Sequence, residues 1–400
     1  MKKLKSIFTL ILVSALLLSC GDDDGASISL ETGTEVSFNL FDVTGGGVLG
    51  TATFAELSDG TTKVTIDIAS SLLVGDHPIH IHENTAAEGG DIAVTLNPVD
   101  ASGMSETTVE TLDDGTSISY NELVTFDGYI NVHLSAAELA TLVAQGDIGV
   151  NAFTGESMSY DLNEADLVGI SGTAIFEERV SGETLVTLML ENTPDGGSHP
   201  SHIHMNTAAE GGDIAVTLES VNGTSGMSKT NVSALDDGTM ISYNELIDYD
   251  GYINVHASAD DLATLAAQGD IGQNVLTGMS ETYDLNEVDV AGVSGTVTFS
   301  QRVNDEILVT IQLMGTTQGD SHPTHIHFNS AAEGGDIAVT LTSVDGTTGM
   351  SQTNVSALND MTSLTYNALI TFDGYINVHQ STDDLATLIA QGDIGANAGM

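Results

Sequence analysis

The chain has 400 residues, in which 57 acidic side chains stand against 7 lysines and arginines, giving a formal net charge of −50 at pH 7. A chain this acidic has no basic surface, which excludes nucleic acid as a partner and excludes charge-driven binding to an anionic membrane. Hydrophobic residues make up 41% of the chain, a composition typical of folded rather than disordered proteins.

The N-terminus has the pattern of an export signal. Lys2, Lys3 and Lys5 precede an apolar run of about ten residues, too short for a stable membrane span. The run ends in Leu-Leu-Ser-Cys at Cys20 and resembles a bacterial lipobox, in which the cysteine is lipidated and becomes the mature N-terminus. An ordinary signal peptide that contains a cysteine is the alternative. We expect residues 1–19 to be a lipoprotein signal peptide and residues 20–33 an acidic tether.

The segment after Cys20 reads GDDDG and resembles the acidic tether of surface-exposed bacterial lipoproteins. The resemblance implies export, a lipid anchor in the outer membrane through Cys20, and exposure at the cell surface. Cys20 is the only cysteine in the chain, so no internal disulfide can form.

An internal repeat divides the rest of the chain. The sequence AAEGGDIAVTL recurs at 86–96, 208–218 and 331–341, at a period typical of an independent domain rather than of a solenoid unit. We place three domains at about 34–156, 157–279 and 280–400.

Within each repeat the pattern is mostly β. In the second repeat, residues 172–190 alternate around Ser181-Gly182, which predicts a hairpin. Short segments rich in Ile, Val and Tyr predict further strands at 202–206, 213–218 and 252–256.

One helix per repeat is predicted over 135–146, with its equivalents at 258–269 and 381–392. Ser135 and Glu138 have the spacing of a capping box, and Gly146 has the position of a C-cap. The predicted fold is therefore mainly β, with three tandem Greek-key β-sandwich or flattened-barrel domains, each with one short helix.

All 12 histidines fall into three sets of four. In a strand, residues i and i+2 share one face, so His80 and His82 point the same way, as do Tyr129, Asn131 and His133. If the two strands are neighbours, three imidazoles converge, which is a familiar ligand set for copper or zinc that leaves a position for water. The candidate ligands are His80, His82, His133, His202, His204, His256, His325, His327 and His379.

The first histidine of each set has the opposite parity and is predicted to have a structural role or to hold a ligand in place: His77, His199 and His322. A purely structural, hydrogen-bonded histidine cluster remains the alternative to a metal site.

Two other repeated groups permit either ligation or a simpler role. Glu88 and Asp91 have side chains that suit calcium, but the Gly89-Gly90 pair between them is equally typical of a turn. Met104, Met227 and Met350 could assist copper or simply pack. No glycine-rich phosphate loop, cysteine pair or serine nucleophile motif is visible.

The order HxxHIH, then YINVH, then GDIG resembles the chordin-type (CHRD) domain nearly end to end in each repeat. The resemblance implies a bacterial lipoprotein of tandem CHRD-like domains, a class whose bacterial members have no defined biochemical role. Two features depart from the family pattern: the last segment lacks the family's arginine, and the LATL segment is inserted before it.

A more distant resemblance is to copper/zinc superoxide dismutase. It is carried by GDHPIHIHE at 75–83, VHASADDL at 255–262 and VHQSTDDL at 378–385. It implies copper ligation by His80, His82 and His133 and their equivalents. No bridging histidine, disulfide cysteine or arginine after the last histidine is present, which implies at most a three-histidine site holding one metal ion.

The sequence therefore predicts a lipid-anchored cell-surface protein that acts as a non-enzymatic binding module, each domain holding one copper or zinc ion. Its expected partners are the membrane, through lipidated Cys20, and an unknown extracellular protein or matrix ligand. A dismutase-like copper enzyme and an adhesive repeat protein without metal are the alternatives.

Overall fold

The chain forms three antiparallel β domains of eight strands each. A computed structural model describes residues 29–43, 47–69 and 75–399. The predicted signal peptide, Cys20 and most of the predicted acidic tether lie outside the described residues.

Each domain has the same element order: six strands, a one-turn helix and two more strands. The first domain consists of β1 Glu31–Asp42, β2 Val48–Leu57, β3 Thr62–Ile68, β4 His77–Glu83, β5 Ile92–Val99, β6 Met104–Val109, α1 Tyr120–Leu123, β7 Asp127–Ser135 and β8 Glu138–Gly149. The second consists of β9 Phe153–Glu164, β10 Ser171–Arg179, β11 Thr184–Glu191, β12 Ser198–Met205, β13 Ile214–Asn222, β14 Met227–Val232, α2 Tyr243–Leu246, β15 Asp250–Ser258 and β16 Asp261–Gly272. The third consists of β17 Leu276–Glu287, β18 Ser294–Arg302, β19 Ile307–Met314, β20 Ser321–Phe328, β21 Ile337–Asp345, β22 Met350–Val355, α3 Tyr366–Leu369, β23 Asp373–Ser381 and β24 Asp384–Gly395.

The strand order confirms the Greek-key prediction. The second domain is a closed barrel in the order β10-β11-β14-β13-β12-β15-β16-β9, and the third barrel repeats that order. Three consecutive strands, β12 to β14, lie side by side, with β15 beside β12 and β11 beside β14, which is the Greek-key arrangement.

The first domain has the same neighbours, but its ladder is open between β5 and β6. Side chains bridge this gap. The backbone N–H of Asn97 donates to Thr107 Oγ1 at 2.8 Å, and Asn97 Nδ2 donates to the Glu106 carbonyl at 2.7 Å. We refer to all three domains as barrels.

Each barrel encloses its own hydrophobic core. In the first barrel, Ile79, Ile81, Ile130 and Val132 are fully buried in that core. Because side chains alternate along a strand, the residues between them face outward. In the second barrel the predicted hairpin is confirmed by pairing of β10 with β11 around Gly182, which has a φ of +86°.

The predicted helix over 135–146 is wrong. Ser135 and Glu138 are paired residues at the closed end of the β7–β8 hairpin, and β8 continues to Gly149. A Ser-x-x-Glu spacing fits a tight hairpin as well as a helix start, and β8 is needed to join β7 to β1. Gly146 is no C-cap: a Cβ there would lie 2.2 Å from the carbonyl oxygen of Asn39, so only glycine lets β1 approach. The same correction applies to 258–269 and 381–392, which lie in β15–β16 and β23–β24.

The one short helix per barrel lies earlier in the chain, at Tyr120–Leu123 and its equivalents. Its N-cap is Ser119, whose side chain accepts from Glu122 N while the Glu122 carboxylate accepts from the Ser119 backbone N–H. Tyr120 and Leu123 are buried, and both side chains belong to the hydrophobic core of the first barrel.

Successive barrels follow one another with few residues between them. β8 ends at Gly149 and β9 begins at Phe153, while β16 ends at Gly272 and β17 begins at Leu276. The second and third barrels thus begin ahead of residues 157 and 280, where the repeat pattern places the domain starts.

Candidate metal centre

The histidine strands β4 and β7 are antiparallel neighbours in the first barrel. His80 pairs in register with Asn131, and His82 pairs with Tyr129. Since Ile79 and Ile81 fill the core, these polar side chains face outward from the barrel.

Each barrel brings three histidines together, and their ligand atoms lie within 4.8 Å of one another. In the described part of the chain, these are the groups of three or more His, Cys, Asp or Glu side chains that could hold a metal ion. The three groups are His80, His82 and His133; His202, His204 and His256; and His325, His327 and His379.

A β-bulge between β7 and β8 lies beside the last histidine of each group. Val132 pairs with Ala144, but His133 pairs with Leu142, so Val143 is the extra residue. A bulge increases local twist and re-aims the side chains around it. Here it lies where His133 meets His80, with ring centroids 4.9 Å apart.

Hydrogen bonds to backbone carbonyls hold two of the three rings. Nδ1 of His82 donates to the Gly90 carbonyl at 3.0 Å, and Nδ1 of His133 donates to the Leu139 carbonyl at 2.6 Å. A carbonyl can only accept, so in the neutral ring the proton is on Nδ1 and Nε2 keeps its lone pair. This is the arrangement by which proteins usually orient a metal-binding histidine.

The third ring closes the group. Nδ1 of His80 lies 2.9 Å from Nε2 of His133, and it donates to that atom because His133 has its proton on Nδ1. Two nitrogen ligands of one tetrahedral zinc ion lie roughly 3.4 Å apart, given bond lengths of about 2.0–2.1 Å. Metal binding at these two atoms therefore requires them to separate by about 0.5 Å and the His80 proton to move from Nδ1 to Nε2, which frees both lone pairs.

The Nε2 atom of His82 is available to a metal ion. It is buried and has no hydrogen-bond partner among the described residues. An unpaired buried polar atom is costly, and a bound cation would satisfy it. The equivalent atom of His204 is in the same condition, whereas Nε2 of His327 has Asn377 Nδ2 at 3.5 Å.

Tyr129 covers one side of His82. The two rings are stacked with centroids 4.9 Å apart and an angle of 14° between their planes. The Tyr129 hydroxyl accepts from the Gly90 backbone N–H at 3.2 Å. One residue, Gly90, therefore links the tyrosine and the histidine: its N–H meets Tyr129 and its carbonyl meets His82.

His77 is hydrogen-bonded to the backbone of His133. It is almost fully buried, and its Nδ1 donates to the backbone carbonyl of His133 at 3.1 Å. The same bond joins His199 to His256, and in the third barrel His322 Nδ1 is shared between the His379 carbonyl at 3.3 Å and the Gln380 carbonyl at 2.9 Å. The first histidine of each set therefore fixes the backbone of the last one.

Burial lowers the pKa of both His80 and His133, because the charged imidazolium loses solvation there. The neighbouring histidines add repulsion, whereas the bond to Leu139 acts in the opposite direction on His133. Both shifts favour the neutral imidazole, which is the form that binds metals. The same shift applies to His202, His256, His325 and His379.

The three groups differ in the hydrogen bonding of their first and last rings. The His202 Nδ1 to His256 Nε2 distance is 3.2 Å, longer than in the first barrel. In the third barrel, Nδ1 of His325 and Nε2 of His379 are both buried without hydrogen-bond partners among the described residues. The third group is therefore the one in which a cation would satisfy the most buried nitrogen atoms.

The acidic alternative does not form a metal group among the described residues. The Glu88 carboxylate accepts from the backbone and hydroxyl of Thr85, and the Asp91 backbone carbonyl accepts from Glu83. This segment forms a turn, as its glycines also predict.

The three repeated methionines, Met104, Met227 and Met350, are on other strands from the histidines. Met227 pairs with Met189 on β11 and with Asn222 on β13, at the end of β13 that meets Ser198. Met104 and Met350 begin β6 and β22, which are likewise not adjacent to the histidine strands.

Sequence reasoning missed the groups that orient the rings. Tyr129 shares a face with His133 by parity, so its presence near the site was predictable, but its stacking on His82 was not. The carbonyls of Gly90 and Leu139 carry no side-chain signal at all.

Comparison with family models, with curated proteins and with solved structures finds no match for this chain. The CHRD-like and dismutase-like interpretations therefore still depend on the residues quoted above. Among the described residues, no helix is long and apolar enough to span a bilayer.

Proposed function

We propose that this chain is a non-enzymatic, transition-metal-binding protein with one copper or zinc site on the outer face of each barrel. One observation carries the proposal: three imidazoles converge in every barrel, two of them with Nδ1 bonded to a backbone carbonyl so that Nε2 carries the lone pair.

The donor set indicates the class of metal. Imidazole nitrogen suits zinc, copper, iron and nickel, whereas calcium and magnesium require oxygen ligands. No carboxylate or thiolate belongs to these groups. Three neutral ligands leave the charge of the ion uncompensated locally, but the large negative charge of the chain favours a cation.

Metal retention by the chain from residue 26 onward, without a polyhistidine tag, tests the proposal. After exposure to Zn²⁺ or Cu²⁺ and desalting, elemental analysis should find three ions per chain, one for each group. The double variant His82→Ala/His133→Ala should retain two, because the other barrels are unchanged and act as internal controls.

A folded chain that retains neither ion would overturn the proposal, with folding checked by circular dichroism. The histidines would then form a hydrogen-bonded structural cluster. Retention of three ions by the double variant would also overturn it, since the metal would be bound elsewhere.

We further propose that the protein is exported and anchored by lipid at Cys20 on the cell surface, where three tandem barrels present repeated binding surfaces. The lipobox-like sequence and the acidic segment after it support this. The Cys20→Ser variant should lose incorporation of labelled fatty acid and leave the membrane fraction. A variant that stays membrane-bound and labelled would contradict the anchor.

A further inference from the structure

A buried arginine joins each barrel to the one before it. Arg179 ends β10, and its guanidinium is fully buried at the junction of the first and second barrels. Its Nη1 donates to Asp147 Oδ2 at 2.9 Å and to the Asn151 carbonyl at 2.5 Å, both in the preceding barrel or the link that follows it. Its Nε donates to Asn231 Oδ1 at 2.7 Å within its own barrel.

Asp147 connects this arginine to a loop of the first barrel. While Oδ2 accepts from Arg179, Oδ1 accepts from the backbone N–H of Ala86 at 2.7 Å. The side chain of Asp147 is only 6% exposed, so its charge depends on Arg179 for compensation.

The loop that begins at Ala86 is the one that orients His82. Four residues later, the Gly90 carbonyl accepts from His82 Nδ1, and the Gly90 N–H donates to Tyr129. The second barrel reaches this loop at another point too, because Asn231 Nδ2 lies 3.4 Å from Glu88 Oε2. A continuous series of contacts thus runs from Arg179 to His82.

The second junction repeats the series. Arg302 is buried, and its Nη1 donates to Asp270 Oδ2 at 2.7 Å and to the Asn274 carbonyl. Its Nε donates to Asn354 Oδ1. Asp270 Oδ1 accepts from Ala208 N, and the Gly212 carbonyl accepts from His204.

The third barrel provides an internal comparison. Asp393 Oδ1 accepts from Ala331 N, and the Gly335 carbonyl accepts from His327, as in the other barrels. Within the described part of the chain, however, no arginine contacts Asp393. The equivalent strand of the first barrel, β2, ends in Leu57 instead of an arginine.

We propose that Arg179 and Arg302 are positioning residues for the metal site of the preceding barrel, so that the first and second sites are completed by the next barrel and the third is not. The inference depends on the proposed metal function for its effect on affinity. Without the arginine, the nearly buried Asp147 carboxylate would be uncompensated, the 85–90 loop would loosen, and the His82 ring would lose its fixed acceptor.

The test uses Arg179→Met and Arg302→Met in the chain from residue 26 onward, first without metal. Hydrogen exchange followed by mass spectrometry should show faster exchange of residues 84–91 in Arg179→Met and of 206–213 in Arg302→Met. Residues 329–336 of the third barrel should be unchanged in both. Because this measurement needs no metal, it tests whether the arginine holds the loop even if the proposed metal function fails.

Metal affinity is then measured with only one histidine group intact at a time. Arg179→Met should weaken the first site by roughly tenfold, the lower end of the effect of losing a group that orients a ligand, and leave the second site unchanged. This difference between the first and second sites is the discriminating result. Arg179 belongs to the second barrel, so simple damage to that barrel would weaken the second site instead.

Arg179→Lys keeps the charge but cannot reach three acceptors, so it guards against a methionine variant that fails to fold. It should give a smaller change in the same direction. Unchanged exchange at 84–91 in both variants would overturn the proposal. So would loss of metal from the second site with the first site intact, or an unchanged affinity of the first site in a chain that binds metal.

Discussion

His77 donates from Nδ1 to the backbone carbonyl of His133, 3.1 Å away, although the two residues are on different strands. The bond ties the backbone of one proposed ligand to a histidine outside the group of three. His77 is only 1% exposed, so its ring also fills space inside the barrel.

We expect His77→Ala to lower the free energy of unfolding of the first barrel by about 2–4 kcal/mol, through a cavity and a lost hydrogen bond. Urea unfolding followed by hydrogen exchange within that barrel measures the change. Metal affinity of the first group should fall as well. His199→Ala is the matched control: it should affect the second barrel and leave the first unchanged, and equal effects of both variants on the first barrel would contradict the assignment.

The lowered pKa values of His80 and His133 predict a direction for pH dependence. In the unfolded chain these imidazoles titrate near 6.5, above their pKa in the folded protein, so the unfolded state binds more protons in that interval. The stability of the metal-free protein should therefore fall as pH drops below about 6.5, as should metal retention.

Comparison with a His80→Gln/His133→Gln variant isolates this effect from the titration of the many acidic residues. The difference in unfolding free energy between the two proteins should be flat above about pH 6.5 and should change below it, towards relative destabilisation of the wild type. A difference that does not vary with pH between 7 and 5 would show that these rings keep their ordinary pKa in the folded state.

The stacking of Tyr129 on His82 and its bond to Gly90 can be separated by mutation. Tyr129→Phe keeps the stacked ring but loses the bond to the Gly90 N–H, and should weaken the first metal site only a few-fold, with a stability cost of about 1 kcal/mol. Tyr129→Leu loses both and should weaken the site further. Isothermal titration with the other two groups disabled measures both. Equal affinities of the two variants would show that stacking contributes nothing.

Side-chain parity predicted the histidine groups well, for a physical reason. In a strand every second residue shares a face, so the spacing of His80, His82 and His133 determines their direction once β4 and β7 are neighbours. Ile79 and Ile81 have the opposite parity to His80 and His82, and both are fully buried. The fold class followed from the same alternation, repeated three times along the chain.

Contacts between residues distant in sequence could not be predicted this way. The pairing of Arg179 with Asp147 crosses from one barrel to another, and nothing in either local sequence indicates it. The Gly90 carbonyl that orients His82 is a backbone atom, so its role is invisible until the loop conformation is known.

The wrong helix has a similar cause. Leu, Ala and Gln favour helices, but propensity is weak compared with the pairing of β8 to both β7 and β1. The Ser-x-x-Glu spacing at Ser135 predicts a helix start, whereas the reciprocal hydrogen bonds form between Ser119, the N-cap of α1, and Glu122, its third residue.

This distinction gives a matched pair of variants. Ser119→Ala should destabilise the first barrel by about 0.5–2 kcal/mol, because it removes the side-chain cap of α1. Ser135→Ala should change stability by less than about 0.5 kcal/mol, as expected for a surface hairpin position. Urea unfolding of both variants measures the two costs under the same conditions. The reverse ranking would mean that residues 135–146 form the capped helix and that the β7–β8 hairpin, on which the orientation of His133 depends, is incorrect.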